Sequence, residues 1–185
     1  MNSGMEMIDK YMNKYSQLFD GSLGEYKFRE IHLDIKSDAV PKFCKARPVP
    51  FAFQKQYNEE LDTMIKNRTI SPVESSDWGT PIVPILKPNG KIRICGDYKT
   101  TLNKFLLAVN HPLPRIEEIF SKLQGGEVFS KLDFSRGYNQ LVLDKESRKL
   151  VALSTHRGVF LLNRMPFGIS PASGIFQREV ERTLQ

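Results

Sequence analysis

The chain has 185 residues, 40% of them hydrophobic, and a formal net charge of +6 at pH 7. This length accommodates one domain, or one domain with an appendage, and the apolar content is sufficient for a packed core. The positive charge favours a polyanionic partner, either a nucleic acid or an anionic surface, although a solvated basic face gives the same number.

The cysteines and histidines do not form a metal-binding pattern. Cys44 and Cys95 are far apart and the three histidines are scattered, whereas a structural zinc site needs about four ligands. We interpret both cysteines as reduced thiols of an intracellular protein. No apolar run approaches the roughly 18 residues of a membrane span, and residues 1–10 lack the apolar core of a signal peptide, so we expect no membrane contact.

The first third of the chain predicts two helices, a strand and a linker. Residues 5–19 place apolar side chains at spacings of three and four, which predicts an amphipathic helix that ends near Gly21. Residues 28–35 alternate in polarity and predict a half-buried strand. Residues 41–50 hold three prolines and three basic residues and predict an extended linker. Residues 51–68 predict a second helix. Its apolar stripe comprises Tyr57, Leu61, Met64 and Ile65.

The middle of the chain predicts a turn and a hairpin. Ile70–Val73 is predicted to be a turn. Residues 81–86 predict a strand, and Pro84 places it at a sheet edge because proline cannot donate to a ladder. Asn89-Gly90 is a strong hairpin signal, and residues 91–95 predict the returning strand. Its apolar face comprises Ile92 and Ile94, and the other face comprises Lys91, Arg93 and Cys95.

The last third predicts helices and short strands. Residues 112–124 predict a helix that begins at two prolines and ends at Gly125-Gly126. Its predicted inward side chains are Leu113, Ile116, Ile119, Phe120 and Leu123. The predicted strands are residues 127–134, 140–143, 151–154 and 158–162. Ser170-Pro171 opens a final helix, and its predicted buried side comprises Ala172, Phe176 and Val180. Helices and antiparallel strands interleave, which predicts an α+β fold.

Asp133 is the most informative single residue. It lies between Leu132 and Phe134 at the end of a predicted strand, and a turn with Ser135 and Gly137 follows. An unpaired carboxylate is costly to bury, so this position favours contact with a metal ion, a cation or backbone donors. The alternative is a structural turn aspartate that accepts backbone N–H bonds. This stretch by itself leaves both interpretations open.

Six stretches occur in the order and with the spacing of one family. They are residues 70–84, 85–98, 102–103, 112–116, 131–133 and 165–177. On these stretches the chain resembles the reverse transcriptase of gypsy-type LTR retrotransposon polyproteins, which is related to retroviral polymerases. The resemblance covers about residues 28–185. Each stretch alone is weakly specific, but six in order disfavour a coincidental pattern on an unrelated α+β domain.

The resemblance implies a right-hand polymerase fold with fingers, palm and thumb. Residues 1–27 would be an N-terminal helical extension, residues 28–110 the fingers, and residues 111–185 the first part of the palm. The hairpin that contains Lys87 and Gly90 resembles the mobile fingertip hairpin of the family.

The implied activity is that of an RNA-directed DNA polymerase, a nucleotidyltransferase that extends a primer with the help of two Mg²⁺ or Mn²⁺ ions. By resemblance, Asp133 is the first metal ligand and Phe134 offers its backbone carbonyl to the second ion. Asp133 is thereby favoured as a metal ligand over a structural turn residue.

The resemblance also implies the nucleotide contacts. Arg93 would bind the triphosphate, since its planar fork suits phosphate oxygens. Lys87 is the chosen second contact, and Lys91 remains an alternative because the register of the hairpin is open; either lysine could instead be a solvated hairpin charge. Backbone N–H groups of Ser135 and Arg136 would hold the β-phosphate.

Tyr138 resembles the steric gate of the family, an aromatic ring that leaves no room for a 2′-OH; the alternative is a core tyrosine. Phe167 would pack against the nucleotide, and Pro171 and Gln177 resemble template-strand contacts. A further set of basic linker residues would suit template backbone, although a solvated charge run is the simpler interpretation. These residues are Lys42, Lys45 and Arg47.

The sequence lacks one element of the family pattern. The Tyr-x-Asp-Asp turn, which carries two more carboxylates, does not occur, and Gln185 falls in the helix that precedes this turn in the family. Asp97 and Asp144 are the other strand-end carboxylates; neither lies in such a turn, and Asp97 is expected to brace the fingers. We therefore expect that this chain alone does not polymerise, and that its partial palm exposes an unpaired strand and apolar surface.

The expected partners are an RNA or DNA template with its primer, deoxynucleoside triphosphates, and the remainder of a polyprotein with thumb, RNase H and integrase segments. The expected location is the cytoplasm or a virus-like particle, with the nucleus as a further possibility. The alternative function is that of a retroelement-derived, non-catalytic nucleic-acid-binding protein.

Overall fold

A computed structural model of the chain describes residues 2–88 and 90–184, with side chains from Glu6 onward. Two predicted features, the side chain of Met5 and the backbone of Asn89, lie outside the described residues. The helices within these ranges are α1 (Asn2–Lys14), α2 (Gln54–Lys66), α3 (Ile116–Leu123), α4 (Gly137–Gln140), α5 (Lys145–Leu150) and α6 (Ala172–Leu184). The strands are β1 (Ile70–Val73), β2 (Thr80–Leu86), β3 (Ile92–Gly96), β4 (Leu153–Thr155) and β5 (Gly158–Leu162).

The five strands form one mixed sheet in the order β1-β5-β4-β2-β3. β2 and β3 form the predicted antiparallel hairpin, in which the Lys87 N–H donates to the Lys91 carbonyl over 2.8 Å. Gly90 has a φ of +75°, a conformation that glycine adopts without steric cost. β4 and β5 form a second antiparallel hairpin, and β2 joins it in parallel through Thr80 and Pro81.

Two strand predictions were wrong for reasons of non-local pairing. Ile70–Val73 is not a turn but strand β1, because β5 lies beside it and pairs Ile70 with Leu162. β2 is not an edge strand, since it lies between β4 and β3. Pro84 is nevertheless tolerated, because β4 pairs only with Thr80 and Pro81 and ends before reaching it.

Three other predicted strands are absent or reduced among the described residues. Residues 127–134 form no strand there, since no described segment pairs with them and an extended run needs a neighbour to complete its ladder. Residues 140–143 begin in α4 and form only isolated bridges, and residues 28–35 form bridges at Ile31 and Ile35. The predicted alternation at 28–35 is confirmed, because Ile31 and Leu33 are buried while their neighbours are exposed.

The core lies between the sheet, α2, α6 and the segment around Ile31. The stripe of α2 is confirmed, with Tyr57 and Leu61 buried and Met64 and Ile65 partly buried. Further buried side chains are Leu33, Ile70, Trp78, Ile82, Ile92, Ile94, Tyr98, Leu102, Leu143, Leu153, Leu162, Met165 and Ile175. α6 buries Ala172 as predicted, whereas Phe176 and Val180 are half-buried.

The prediction that residues 112–124 form a helix with a buried apolar face was wrong. α3 spans only Ile116–Leu123, and its apolar side chains are exposed because no described element covers them. The apolar side chains of α1 from Met7 onward are also exposed. The expected exposure of apolar surface in the palm part is confirmed at Val128 and Leu132, which are 90% and 82% exposed. Among the described residues, no helix combines the length and apolarity that crossing a membrane requires.

α5 was not predicted, and its sequence explains it. The Asp144 side chain accepts a hydrogen bond from the Ser147 N–H over 2.8 Å, which caps the first turn. The Ser147 hydroxyl in turn accepts from the Leu33 N–H over 2.8 Å, so the capped turn is tied to the core. Asp144 is thus a helix cap.

Candidate active site

A cavity of about 440 Å³ brings together residues that are far apart in the sequence. The β2–β3 hairpin, the turn after Asp133, the 166–167 loop and the start of α6 line it. The predicted site residues among its lining are Lys87, Arg93, Asp133, Phe134, Arg136, Tyr138 and Phe167. The other predicted site residues, Lys91, Ser135, Pro171 and Gln177, are not part of this lining.

Arg93 reaches the cavity because of the alternation in β3. Ile92 and Ile94 are buried in the core, so Arg93 and Cys95 lie on the opposite face. The Arg93 guanidinium carbon is 5.1 Å from the centroid of the Phe167 ring, which is a cation–π geometry. The phosphate-binding fork expected of Arg93 is thus held over an aromatic face at the cavity.

The hairpin places its two lysines differently. Lys87 is half-buried and lines the cavity, whereas Lys91 is exposed. The hydrogen bond from the Lys87 N–H to the Lys91 carbonyl closes the hairpin between them. Of the two alternatives that the sequence left open, Lys87 is therefore the one whose position meets the cavity.

The turn after Asp133 has a defined backbone. Arg136 has a φ of +51° and precedes α4, and the Gln140 side-chain amide donates to the Ser135 carbonyl over 2.9 Å. The Asp133 side chain is exposed and lines the cavity. Within residues 2–88 and 90–184, no three histidine, cysteine or acidic side chains are grouped to hold a metal ion.

Four aromatic rings form one cluster beside Asp133, here called the aromatic cluster: Phe134, Tyr138, Phe167 and Phe176. The Tyr138 ring lies 5.0 Å from Phe167 and 5.3 Å from Phe176, centroid to centroid. The Phe134 ring lies 5.7 Å from Phe176 at an interplanar angle of 88°. Tyr138 is half-buried, lines the cavity and packs against the rings of Phe167 and Phe176.

The cavity lining includes residues that sequence reasoning did not assign to the site, among them Phe176 and Cys95. Phe176 was predicted only as a buried residue of the last helix, and no local pattern marked it as a site residue. Cys95 had a signal, because the alternation in β3 placed it on the same face as Arg93. Burial raises the pKa of the Cys95 thiol, and the charges of Arg93 and Lys87 offset only part of this rise. The thiol is therefore neutral at physiological pH.

The remaining predicted residues have structural partners. Pro171 is buried at the start of α6. The Gln177 amide donates to Glu181 over 2.7 Å, and Glu181 also contacts the His111 ring over 2.9 Å. These contacts tie α6 to the segment before α3.

Asp97 forms an ion pair with Arg47, which confirms its predicted bracing role. In the same basic linker, the Lys42 ammonium donates to the Thr100 carbonyl over 2.9 Å. Two of the three basic linker residues thus hold the linker to the segment after β3, so they are not simply a solvated charge run, and the contact with template backbone stays a prediction.

The chain matches proteins of one family. The family described as reverse transcriptase (RNA-dependent DNA polymerase) matches residues 85–185. Uncharacterized protein K02A2.6 of Caenorhabditis elegans is 38% identical over 172 residues, which are 92% of this chain and 14% of that protein. The retrovirus-related Pol polyprotein from transposon 412 of Drosophila melanogaster is 34% identical over 147 residues, which are 76% of this chain and 12% of the polyprotein. The chain therefore spans about one-seventh or less of these curated relatives.

Solved structures share its fold. The protease-reverse transcriptase of prototype foamy virus superposes with a TM-score of 0.82 at 21% identity, over 100% of this chain and 25% of the viral chain. The foamy viral enzyme in complex with an RNA/DNA hybrid gives a TM-score of 0.80 at 19% identity, over 100% of this chain and 25% of that one. These likenesses confirm the predicted α+β polymerase fold.

The transposon 412 relative is a Pol polyprotein and the matching family is that of reverse transcriptases, so the comparisons do not favour the alternative of a non-catalytic binding protein. The family match covers more than half of the chain, and the Caenorhabditis elegans relative extends the similarity to nearly all of it. The chain belongs to the reverse transcriptase (RNA-dependent DNA polymerase) family.

Proposed function

We propose that this chain supplies the fingers and the first palm carboxylate of an RNA-directed DNA polymerase, a nucleotidyltransferase of a retrotransposon. Residues 1–27 would be an N-terminal extension, residues 28–110 the fingers and residues 111–185 the first part of the palm. One observation carries the proposal: a single cavity collects an arginine, a lysine, a carboxylate and an aromatic cluster from four separate stretches.

The residues present fit part of a divalent-metal site. Asp133 is an exposed carboxylate at the cavity, and the Phe134 carbonyl follows it; both are hard oxygen ligands of the kind that Mg²⁺ and Mn²⁺ prefer. When bound, two such ions stabilise the attacking and leaving oxygens of the phosphoryl transfer. The family site needs further carboxylates, so the isolated chain is expected not to extend a primer.

The cationic side chains would bind the triphosphate. The Arg93 fork can donate two parallel hydrogen bonds to phosphate oxygens, and Lys87 adds a compact positive charge at the same cavity. Lys91 stays the alternative to Lys87. The backbone N–H groups of Ser135 and Arg136 would face the β-phosphate from the turn in which Arg136 is left-handed.

Tyr138 and Phe167 would select the sugar and hold the nucleotide. The half-buried Tyr138 ring would occupy the space that a 2′-OH needs, which favours deoxynucleotides. Phe167 would contact the nucleotide through apolar surface.

A primer–template is the proposed macromolecular partner. Solved relatives were determined with an RNA/DNA hybrid and with double-stranded DNA, and the curated relatives include Pol polyproteins. Pro171 and Gln177 remain proposed template contacts, although Gln177 would have to leave Glu181 to make one. The rest of a polyprotein, with its thumb, RNase H and integrase segments, would complete the enzyme in the cytoplasm, a virus-like particle or the nucleus.

Nucleotide binding tests the proposal. We would measure the affinity of the chain for dATP with Mn²⁺ by calorimetry, in the wild type and in Arg93→Ala. Loss of charge-assisted hydrogen bonds should weaken binding about ten- to a hundredfold. Arg182→Ala, which removes an exposed arginine outside the cavity, is the matched control. Equal affinities of the two variants, or no dATP binding by the wild type, would contradict the proposal.

A further inference from the structure

Phe176 of α6 lines the cavity and contacts the turn that follows Asp133. Its ring lies edge-on to Tyr138, with centroids 5.3 Å apart at 75°, and edge-on to Phe134, at 5.7 Å and 88°. Both are favourable geometries for aromatic pairs. One side chain of α6 therefore contacts an aromatic ring before and an aromatic ring after Gly137, the first residue of α4.

Gly137, that first residue, makes the close approach possible. A Cβ atom at Gly137 would lie 2.7 Å from Cζ of Phe176, which is closer than real Cβ contacts allow. The Phe176 ring thus packs directly on the backbone of the turn as well as on its two aromatic side chains. Its contacts span residues 134, 137 and 138.

The Tyr138 ring is held from two sides. The Phe167 ring packs against the Tyr138 ring with centroids 5.0 Å apart. The Arg93 guanidinium in turn lies over the Phe167 ring. Phe167 belongs to a loop, whereas Phe176 belongs to a helix that is anchored in the core by Ile175. Of the two rings that contact Tyr138, that of Phe176 is therefore the one held by a helix.

We infer that Phe176 is a positioning residue, which fixes the Tyr138 ring and thereby sets how strongly the site rejects a 2′-OH. The inference rests on the proposed function of Tyr138 as a steric gate. If the ring is free to turn, the space beneath the sugar opens and the ribonucleotide fits.

The test compares the affinities of dATP and ATP, which differ only in the 2′-OH, each measured with Mn²⁺. Phe176→Leu keeps an apolar side chain but loses the ring, and should lower the dATP-to-ATP preference about three- to tenfold, the range of one aromatic pair. Phe105→Leu is the matched control, because Phe105 is a half-buried ring packed edge-on against Trp78, away from the cavity. It should leave the preference unchanged.

A double variant separates this inference from the proposed function. Tyr138→Ala should abolish the preference, and Phe176→Leu should then add nothing in the Tyr138→Ala background. If Tyr138→Ala leaves the preference unchanged, the proposed gate is wrong and the inference falls with it. If Tyr138→Ala abolishes it but Phe176→Leu does not change it, the inference alone is wrong. An equal loss of both affinities in Phe176→Leu would show a merely structural role and overturn it as well.

A measurement without nucleotide covers the case in which binding is weak. In tyrosine-labelled protein, the Tyr138 ring resonance is assigned through Tyr138→Phe and followed by NMR. Phe176→Leu and Gly137→Ala should both shift this resonance, the first by removing the ring and the second by displacing it, while Phe105→Leu should not. An unshifted Tyr138 resonance in folded Phe176→Leu would overturn the inference.

Discussion

Two regions of the molecule meet at the cavity, and they are built differently. The sheet body, residues 26–110 and 137–184, contains all the buried side chains among the described residues. The second region is residues 112–136, which lie within the proposed palm and are here called the palm segment; every one of these residues is exposed. Arg93 and Phe167 belong to the sheet body, whereas Asp133 belongs to the palm segment.

The difference lies in what holds each residue in place. Arg93 is paired with Ile85 in the β2–β3 ladder, between two buried isoleucines. The palm segment has mostly local hydrogen bonds, such as that from the Gly126 N–H to the Leu123 carbonyl over 3.2 Å. Near the cavity it is linked to the sheet body by the contact between Phe134 and Phe176 and by the hydrogen bond from the Gln140 side chain to the Ser135 carbonyl. The proposed triphosphate contact is thus preorganised, whereas the carboxylate depends on neighbouring contacts.

The largest expected contrast comes from the same substitution in both regions. Leu153→Ala, at a side chain 1% exposed in β4, should lower the free energy of unfolding by about 2–5 kcal/mol. Leu123→Ala, at a side chain 44% exposed in α3, should change it by less than about 0.5 kcal/mol. Urea denaturation followed by circular dichroism measures both. Similar losses in the two variants would show that the palm segment is packed in solution, and would contradict the difference between the two regions.

The second expected effect concerns Glu179, a buried carboxylate of α6. Burial would raise its pKa, but hydrogen bonds from Arg29, Tyr26 and Arg178 and the charge of Arg29 outweigh this and lower the pKa from 4.5 to about 2. Because the folded pKa is depressed, the stabilisation is present above pH 4.5 and is lost as the pH falls to about 2.

Glu179→Gln should therefore lower the free energy of unfolding at neutral pH by roughly 3 kcal/mol. In the variant, the free energy of unfolding should also depend less on pH between 4.5 and about 2. Denaturation of both proteins across this pH window measures the effect. Glu118→Gln, at an exposed carboxylate of the palm segment, is the control and should leave the curve in place. If the free energy of unfolding of Glu179→Gln falls in acid as much as that of the wild type, the Arg29 contact contributes little to stability.

The third expected effect compares helix caps. Asp144→Ala removes the side-chain acceptor of the Ser147 N–H in α5 of the sheet body and should cost about 1 kcal/mol. Glu118→Ala removes the acceptor of the Arg115 N–H in α3, at 3.4 Å, and should leave global unfolding within about 0.5 kcal/mol. The same denaturation measurement distinguishes them, and a larger loss in Glu118→Ala would reverse the assignment of stability to the two regions.

The smallest expected effect depends on pH. A hydrogen bond to Asp144 raises the pKa of His32, at 2.6 Å from Nδ1 to the carboxylate. A raised folded pKa means that the stabilisation is full below the unfolded value of about 6.5 and is lost as the pH rises through the folded value. Since the His32 side chain is 58% exposed, solvent screens the pair.

His32→Gln should thus lower the free energy of unfolding by roughly 0.2–1 kcal/mol at about pH 5.5, and by less at about pH 9. His156→Gln serves as the comparison, because burial lowers the pKa of His156 instead. This variant should not lose more stability at low pH than at high pH. If His32→Gln loses more free energy of unfolding at high pH than at low pH, the expected direction of the pH dependence is wrong.

The successful fold predictions rest on local patterns. The stripe of α2, the β2–β3 hairpin, β5 and the helix after Ser170-Pro171 follow from periodicity and turn residues within a few positions. The failures are non-local. Nothing in Ile70–Val73 announces that β5 will lie beside it, and the periodicity of residues 112–124 predicts an apolar face without revealing whether anything covers it.

The sequence by itself determined the family and the residue types that carry the proposed chemistry, Asp133, Arg93 and Tyr138, because ordered motifs survive independently of the surrounding packing. Only the tertiary structure decided which of them share a cavity, that Lys87 and not Lys91 lines it, and that Phe176 packs on Tyr138. The physical reason is that these residues come from stretches far apart in the chain, from 38 positions between Tyr138 and Phe176 to 89 positions between Lys87 and Phe176. Such contacts depend on strand register and close packing, which no local pattern encodes.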